Sequence, residues 1–272
     1  MVILFYFQKV VIVVVEFSIK ARPLLASLFA NTEETLVLSC LQGHMGRAFA
    51  DRLEDPRCAQ ILVGDFCFFT GDAGLAGAKE LVRNIPRDFS SPVILFIPLA
   101  PGWNILIEQT YSGRFEKTTR YAIKKEPDAF DRHYLEKLVS QLPEGFTMRS
   151  IDRELYWKSF EQEFSRDFCA QFDSAEDFLR RGLGVCALYQ GTLVAGASSY
   201  TVYDSGIEIE VDTHPDFQRR GLACACAAKL ILTCLEKGLY PSWDAANLAS
   251  VSLAQKLGYH LDFAYPTYQI KC

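Results

Sequence analysis

The chain has 272 residues, half of them apolar, and carries a formal net charge of −5 at pH 7. That length allows one or two domains with sizeable cores, and the acidic balance argues against a general nucleic-acid-binding surface. The nine cysteines form no Cys-x-x-Cys pair and have no nearby histidine at metal-ligand spacing. We therefore expect no metal site and a reducing, cytoplasmic environment.

The N-terminal segment from Met1 to Val15 is almost entirely apolar, interrupted by Gln8 and Lys9. It is too short to span a bilayer and lacks a basic leader or a small-residue cleavage site, so we expect no membrane association. Its valine and isoleucine content favours a strand. Residues 1–18 are interpreted either as an N-terminal strand or as an extension from a misassigned start.

Residues 19–126 are predicted to form an N-terminal α/β domain in which short helices and strands alternate. Its predicted helices are 24–30, 44–54, 75–83 and 102–111, and its predicted strands are 34–39, 59–70, 93–98 and 117–125. A polar, helix-capable segment, 127–145, begins at Pro127 and ends at a Pro-Glu-Gly sequence. We interpret that segment as a linker helix.

Residues 146–272 show a clearer order of elements, which predicts a mixed α/β sheet with helices on both faces. The predicted helices are 153–164, 175–181, 222–237 and 248–257, and the predicted strands are 146–151, 185–189, 192–203, 206–213, 239–244 and 267–270. The strand–helix–strand order 93–98, 102–111, 117–125 repeats the order at the end of this domain. We interpret the N-terminal domain as a degenerate copy of it, with an unrelated α/β domain as the alternative.

The most informative stretch is a strand that leads through a basic turn into an apolar helix. Apolar and acidic residues alternate from Ile207 to Asp212, which is the period of a strand with one carboxylate-lined face. The sequence Gln218-Arg219-Arg220-Gly221-Leu222-Ala223 then opens the helix. Backbone N–H groups and the positive end of a helix dipole converge at such a start, and glycine lets a ligand approach closely. The pattern predicts a pyrophosphate-binding cradle.

These residues carry a resemblance to the GNAT superfamily of N-acetyltransferases. Gln218-x-x-Gly221-x-Ala223 matches the superfamily motif [QR]-x-x-G-x-[GA], and the stretch from Asn247 through Ser250 to Tyr259 resembles its second signature at all but one position. The residues around the motifs resemble those of a poorly characterised bacterial branch of the superfamily. The resemblance covers 146–272 and implies a GNAT-like mixed twisted sheet flanked by helices.

The resemblance also implies a cosubstrate, acetyl-CoA, and its contacts. The pantetheine arm is expected beside the strand Ile209 to Thr213, where N–H groups polarise the thioester carbonyl, and the diphosphate on the amides of 218–223. The expected cofactor-binding residues are Val211, Asp212, Thr213, Gln218, Arg219, Arg220, Gly221, Leu222, Ala223, Asn247 and Ser250. Asn247 is alternatively a helix cap, since Asn is a preferred N-cap residue.

Acetyl transfer to an amine requires a base, and the acidic strand face supplies two candidates. Glu210 is nearer the cofactor region and is the first choice, with Glu208 on the same face able to raise its pKa. The alternative is that either carboxylate binds a cationic substrate or faces solvent. Trp243 and Asp244 end a strand at the usual ligand-facing edge, so they are expected to contact substrate or, alternatively, to pack.

One departure from the superfamily pattern bears on the leaving thiolate. Ala254 stands where many members carry a tyrosine whose hydroxyl protonates CoA. Tyr240, Tyr259 or Tyr265 could replace it, or the thiolate leaves unassisted because thiols are acidic. The predicted function is acetyl-CoA-dependent N-acetylation of a small-molecule primary amine by direct attack in a ternary complex. The alternative is a non-catalytic acyl-CoA-binding or regulatory module.

Overall fold

The computed structural model describes residues 14–272, which form two compact units. The first comprises the described residues up to Thr32, together with Gly46–Glu116 and Tyr268–Cys272, and the second comprises Glu33–Met45 and Lys117–Thr267. Neither unit is one continuous segment. Residues 127–145, predicted as a linker, belong to the second unit, where their helix packs against the helix that begins at Leu222.

The helices and strands of the described residues have the following bounds. The α-helices are α1 (Thr35–Leu41), α2 (Ala76–Arg83), α3 (Trp103–Thr110), α4 (Arg132–Ser140), α5 (Arg153–Lys158), α6 (Ala175–Arg181), α7 (Leu222–Glu236) and α8 (Leu248–Lys256). The strands are β1 (Val15–Phe17), β2 (Arg47–Ala50), β3 (Cys58–Val63), β4 (Phe66–Gly71), β5 (Val93–Pro98), β6 (Phe115–Ile123), β7 (Phe146–Ser150), β8 (Gly184–Tyr189), β9 (Thr192–Tyr203), β10 (Gly206–Thr213), β11 (Tyr240–Ser242), β12 (Asp244–Ala245) and β13 (Leu261–Lys271).

The first unit is built on strands in the order β1-β2-β3-β4-β5, with the end of β13 antiparallel to β5. Neighbouring strands are antiparallel except β4 and β5, which are parallel. Phe69, Phe96 and Trp103 are buried at the centre of its core, and the rings of Phe69 and Trp103 stack with centroids 5.2 Å apart. The predicted α/β class is therefore confirmed for this unit.

The second unit contains a five-stranded sheet in the order β11-β10-β9-β8-β7. Its one parallel pair is β10 with β11, and the long apolar helix α7 packs against β8, β9, β10 and β11. Helix α1 contacts β9 and β10. A separate set of strands in this unit has the order β13-β6-β12. Twisted mixed strands flanked by helices confirm the predicted fold class.

Two elements were predicted with the wrong secondary structure. A strand was predicted over 34–39, but the helix α1 begins at Thr35, because a largely buried run of leucine, valine and threonine satisfies either pattern. Residues 44–54 contain the strand β2 rather than a helix. Pairing with β1 on one side and β3 on the other overrides the helix propensity of its two alanines.

Other predictions had the right type and wrong limits. The strand predicted at 59–70 is a hairpin, since Gly64 adopts a positive φ of 58° between β3 and β4. The helix predicted at 24–30 is a 3-10 helix over Ile19–Phe29, and the one predicted at 153–164 becomes 3-10 after Lys158. The strand predicted at 267–270 is the longer β13. The segment 1–18 includes β1, and its residues 1–13 lie outside the described part of the chain.

Each unit contains the same local topology, which supports the proposed internal repeat. An antiparallel pair is followed by a helix and a parallel strand in β3-β4-α2-β5 and again in β9-β10-α7-β11. In the turn before α2, however, a backbone N–H group already donates to the carboxylate of a residue in the same turn, Asp72. The Gly74 N–H donates to Asp72 at 2.9 Å, and Arg57 pairs with the same group. We propose that this copy has lost its anion-binding turn.

Candidate functional site

The sheet of the second unit opens along one edge of β10. Strand β11 pairs with β10 only over Gly206–Glu208, and the chain then leaves at Trp243 to form β12, which pairs with β6. The strand predicted at 239–244 is thus split between two sheets. From Ile209 to Thr213, β10 keeps β9 as its ladder partner on one side. On the other side, no strand among residues 14–272 pairs with β10 beyond Glu208, and we refer to this edge as the opening.

The hydrogen bonds of β10 determine which amides face this opening. The His214 N–H donates to the Val194 carbonyl of β9 at 2.9 Å. Because N–H groups alternate along a strand, the amides of Val211 and Thr213 are directed to the opposite edge. The Thr213 amide donates to the carboxylate of Asp212 at 2.6 Å. Of the two amides, the one at Thr213 thus already has a protein acceptor.

The turn at the start of α7 has the geometry of an anion-binding nest. Arg219 and Gly221 both adopt left-handed conformations, with φ of 61° and 83°, and Leu222 begins the helix. Alternation of left- and right-handed residues points successive N–H groups into one concavity. A side chain added at Gly221 would meet nothing within 4 Å, so the concavity is open to solvent.

Side chains around this turn hold it in place and supply charge. Arg219 and Arg220 are exposed, and the Arg220 guanidinium lies 5.1 Å from the ring centroid of Phe217. The side-chain amide of Gln218 donates a hydrogen bond to the Thr213 carbonyl at 3.4 Å. Leu222 is 1% exposed, so its side chain anchors the helix while its amide remains in the turn. The predicted residues Gln218 to Ala223 are thus adjacent in one cradle.

Glu208 occupies the point where β10 and β11 separate. It is the last residue of β10 paired with β11, opposite Ser242, and it is 7% exposed. The Thr35 hydroxyl donates to Oε2. Oε1 is buried and has no hydrogen-bond partner among the described residues. Burial raises the pKa of Glu208 to about 7, and the Thr35 bond opposes that shift. The charge of Asp244 raises the pKa further, whereas the charge of Lys125 and the backbone N–H of Asp244 lower it. A carboxyl with such a pKa is suited to proton transfer near neutrality.

Asp244 lies beside this group in an ion pair. Its Oδ1 accepts from Arg120 Nε at 2.6 Å and its Oδ2 accepts from the Tyr265 hydroxyl at 2.7 Å. Burial raises the pKa of Asp244, and the Arg120 guanidinium acts against that effect. Both charged side chains of the pair are largely buried. Both carboxylate oxygens of Asp244 thus have protein partners, and its charge also acts on Glu208.

Glu34, at the start of α1, adds a third carboxyl. Burial raises its pKa, and the nearby charges of Asp244 and Glu208 raise it further, while Lys125 and Arg120 lower it. The Lys125 ammonium also donates to the Glu33 carbonyl, which fastens the chain before α1. We refer to these groups as the carboxylate cluster. Its members are Glu34, Glu208 and Asp244, with Arg120, Lys125 and Tyr265.

Glu210, the first choice from the sequence, lies two positions beyond Glu208 and is partly buried. It pairs with Ser198 of β9 in the ladder. Strand alternation places it on the same face as Glu208. The catalytic assignment of both residues remains a prediction. Of the two, Glu208 is the one in the carboxylate cluster.

Three residues predicted to bind ligands make structural contacts. The Asn247 side chain accepts from the Ser250 N–H at 3.0 Å, so it caps α8. The Ser250 hydroxyl accepts from the Trp243 indole at 3.0 Å. The Trp243 ring is 7% exposed and packs against Tyr259. The geometry therefore favours the capping and packing alternatives for these side chains.

The tyrosines that could replace the absent general acid all donate to protein groups. The hydroxyls of Tyr240 and Tyr259 donate to the carbonyls of Lys124 and Pro241, at 3.2 and 2.6 Å. Tyr265 donates to Asp244. Burial raises the pKa of Tyr240 to about 12 and raises the pKa of Tyr259 well above its ordinary value. Ala254 itself is fully buried.

No sequence pattern indicated Glu34, Thr35, Arg120 or Lys125 as site residues. Thr35 and Glu208 are 173 positions apart, and a single sequence contains no signal for such a contact. Within residues 14–272, no group of histidine, cysteine or acidic side chains could hold a metal ion. None of the helices in the same range is both long and apolar enough to cross a membrane.

Comparison with known proteins gives consistent matches. A family model described as GNAT acetyltransferase matches residues 26–268. The uncharacterized N-acetyltransferase YdfB of Bacillus subtilis (strain 168) is 26% identical over 241 residues, covering 86% of this chain and 89% of the relative. A crystal structure of a GCN5-related N-acetyltransferase-like protein from Streptococcus suis is 43% identical, with a TM-score of 0.86 over 93% of this chain and 99% of that one. A tandem GNAT protein from the clavulanic acid biosynthesis pathway shares the fold, with a TM-score of 0.59 at 11% identity, over 95% and 98% of the two chains.

Proposed function

The chain belongs to the GNAT acetyltransferase family, and from that premise we propose that it transfers the acetyl group of acetyl-CoA to a primary amine of a small molecule. The observation that carries the proposal is the position of Glu208. A buried carboxyl with an unpartnered oxygen lies at the point where two parallel strands separate. A base is required there because the incoming amine must lose its proton before it attacks.

Each part of the site has a role in this reaction. The turn Gln218 to Ala223 binds the diphosphate through backbone amides, with Arg219 and Arg220 adding charge. The opening beside Ile209 to Thr213 accepts the pantetheine arm. The Val211 N–H donates to the thioester carbonyl oxygen, where negative charge develops. Asp212 contributes by holding the Thr213 amide.

The chemical step is a direct attack in a ternary complex. Glu208 removes a proton from the ammonium group, either directly or through water. The free amine attacks the thioester carbon and the C–N bond forms. The C–S bond breaks and the thiolate leaves with its electron pair, and the second proton lost by the nitrogen passes through solvent to the departed thiolate. We infer that the thiolate leaves without a tyrosine acid, because Tyr240, Tyr259 and Tyr265 donate to protein groups. A thiol is acidic enough for such a departure.

Thiol release from acetyl-CoA across a panel of primary amines tests the proposal. Glu208→Gln should lower kcat at least about 100-fold while leaving the dissociation constant for CoA unchanged. Glu210→Gln is the matched comparison, since it removes a carboxylate from the same strand face. A larger loss in Glu210→Gln than in Glu208→Gln would return the base assignment to Glu210.

The second candidate function is non-catalytic acyl-CoA binding, and Ala254 in place of the usual tyrosine is the observation that favours it. The two candidates share the cradle and differ in turnover. Tight CoA binding with no thiol release for any amine, together with unchanged behaviour of Glu208→Gln, would select the binding module.

A further inference from the structure

The cluster around Glu208 contains three carboxyls and two cations, and both cations already have protein partners. Arg120 bonds Asp244 and interacts with Tyr265. Lys125 donates to the Glu33 carbonyl. Burial raises the pKa values of Glu34 and Glu208, so these two carboxyls can take up or release a proton near neutrality. A bound ammonium group favours their charged forms, whereas a further carboxylate is repelled by them.

The N-terminus of α1 brings Glu34 to this cluster. The bond from Thr35 to Oε2 fixes the first residue of α1 against Glu208, and Glu34 is the preceding residue. The charges of Glu208 and Asp244 both raise the pKa of the Glu34 carboxyl. A ligand held by Glu208 therefore lies within the field of Glu34.

Glu208 provides the independent sign of a ligand. Its side chain is more than nine-tenths buried, yet Oε1 has no hydrogen-bond partner among residues 14–272. A buried carboxylate oxygen is normally satisfied by a donor. Thr35 already occupies Oε2. An ammonium group, which has three N–H donors and a positive charge, matches the remaining oxygen.

We propose that Glu34 is the second carboxylate of the acceptor site, that it and Glu208 hold the ammonium group of the acceptor, and that the acceptor is an amine with no carboxylate beside the reacting nitrogen. This inference rests on the proposed function and names its substrate class. Amino acids with a free α-carboxylate are excluded as α-amine acceptors. Diamines, polyamines and amino sugars remain.

Cadaverine and 2,6-diaminopimelate are a matched pair of probes, because diaminopimelate is cadaverine with a carboxylate beside each of its two nitrogens. Each is titrated by calorimetry into the full chain, alone and in the presence of CoA, which has no acetyl group to transfer. Cadaverine should bind at millimolar concentration, and diaminopimelate at least about tenfold more weakly. Equal affinities, or no heat from cadaverine, overturn the proposal.

Variants test the role of Glu34. Glu34→Gln should weaken cadaverine binding about tenfold without weakening CoA binding. Glu33→Gln is the control, because the Glu33 residue is exposed and contributes its backbone carbonyl to Lys125. Unchanged cadaverine affinity in Glu34→Gln overturns the assignment. The comparison of the two probes on the unaltered chain decides the substrate class even where Glu34→Gln folds poorly.

The two proposals fail in different ways. Absence of thiol release from acetyl-CoA with every amine contradicts the proposed transferase function, whatever cadaverine does. Thiol release that proceeds while cadaverine and diaminopimelate bind equally contradicts the acceptor assignment alone.

Discussion

The hydroxyl of Thr35 donates a hydrogen bond to the carboxylate of Glu208, 173 positions further along the chain. Both residues are buried, at 2% and 7% exposed. The bond favours the charged form of Glu208, whereas burial and Asp244 favour the protonated form. The pKa of the proposed base is thus determined by opposing effects that mutations can separate.

Replacing Thr35 should move the pH dependence of acetyl transfer. Thr35→Val removes the donor, so the pKa of Glu208 rises above about 7. Because the base acts unprotonated, the acidic limb of kcat/KM should shift upward by about one pH unit. Thr35→Ser keeps a hydroxyl and should restore the original limb. A steady-state pH profile of the three proteins checks this, and an unmoved limb in Thr35→Val would remove Thr35 from any role in positioning the base.

Burial of Glu208 should also cost stability at neutral and alkaline pH. Its pKa is about 7 in the folded protein against an ordinary value of 4.5 for glutamate, so the folded state binds more protons between these values. Stability therefore falls as pH rises through that window. Glu208→Gln should raise the free energy of unfolding at pH 8 by about 1–2 kcal/mol and change it less at pH 4.

Denaturant titrations at the two pH values measure the effect of Glu208→Gln. Glu33→Gln, at an exposed carboxyl, is the control and should show no such pH-dependent gain. A loss of stability in Glu208→Gln at pH 8 would mean that the charged carboxylate is favourably paired.

The cradle prediction concerns Gly221. Gly221→Glu places a carboxylate at the proposed diphosphate site and should raise the dissociation constant for CoA at least about 100-fold. Gly191 is a matched control, because it also has a positive φ, 82°, and a side chain added there also meets nothing within 4 Å. Gly191→Glu places a non-glycine residue at the same positive φ, in the β8–β9 turn, and so carries the same backbone strain. Calorimetry with CoA separates the two, and equal affinities would place the diphosphate elsewhere.

Asn247 tests a residue that the resemblance assigned to the cofactor. Its side chain caps α8 through the Ser250 N–H, so Asn247→Ala should cost about 1 kcal/mol of stability. CoA affinity should stay within about threefold of the original. Asn247→Asp keeps the cap and serves as control. A tenfold loss of CoA affinity in Asn247→Ala, with stability retained, would favour a direct contact.

The motif-bearing elements were predictable because their signals are local. Gln218 to Ala223 show a turn and a helix start within six residues, and the alternation from Ile207 to Asp212 is a strand period. Residue types alone could not distinguish a helix from a strand at α1, because a largely buried and mostly apolar run is compatible with both. The carboxylate cluster was missed for a different reason, since Glu34 and Arg120 meet Asp244 only through the tertiary fold.

The interleaving of the two units limits how this protein can be divided. A fragment starting at Phe146 would include both sequence signatures and look complete by motif, yet it would lack Glu34, Thr35 and Arg120. Truncation or fusion at the 127–145 segment would therefore yield a protein that keeps the turn Gln218 to Ala223 but loses the Thr35 hydrogen bond to the proposed base, Glu208. The two signatures alone do not include all the residues of the proposed site.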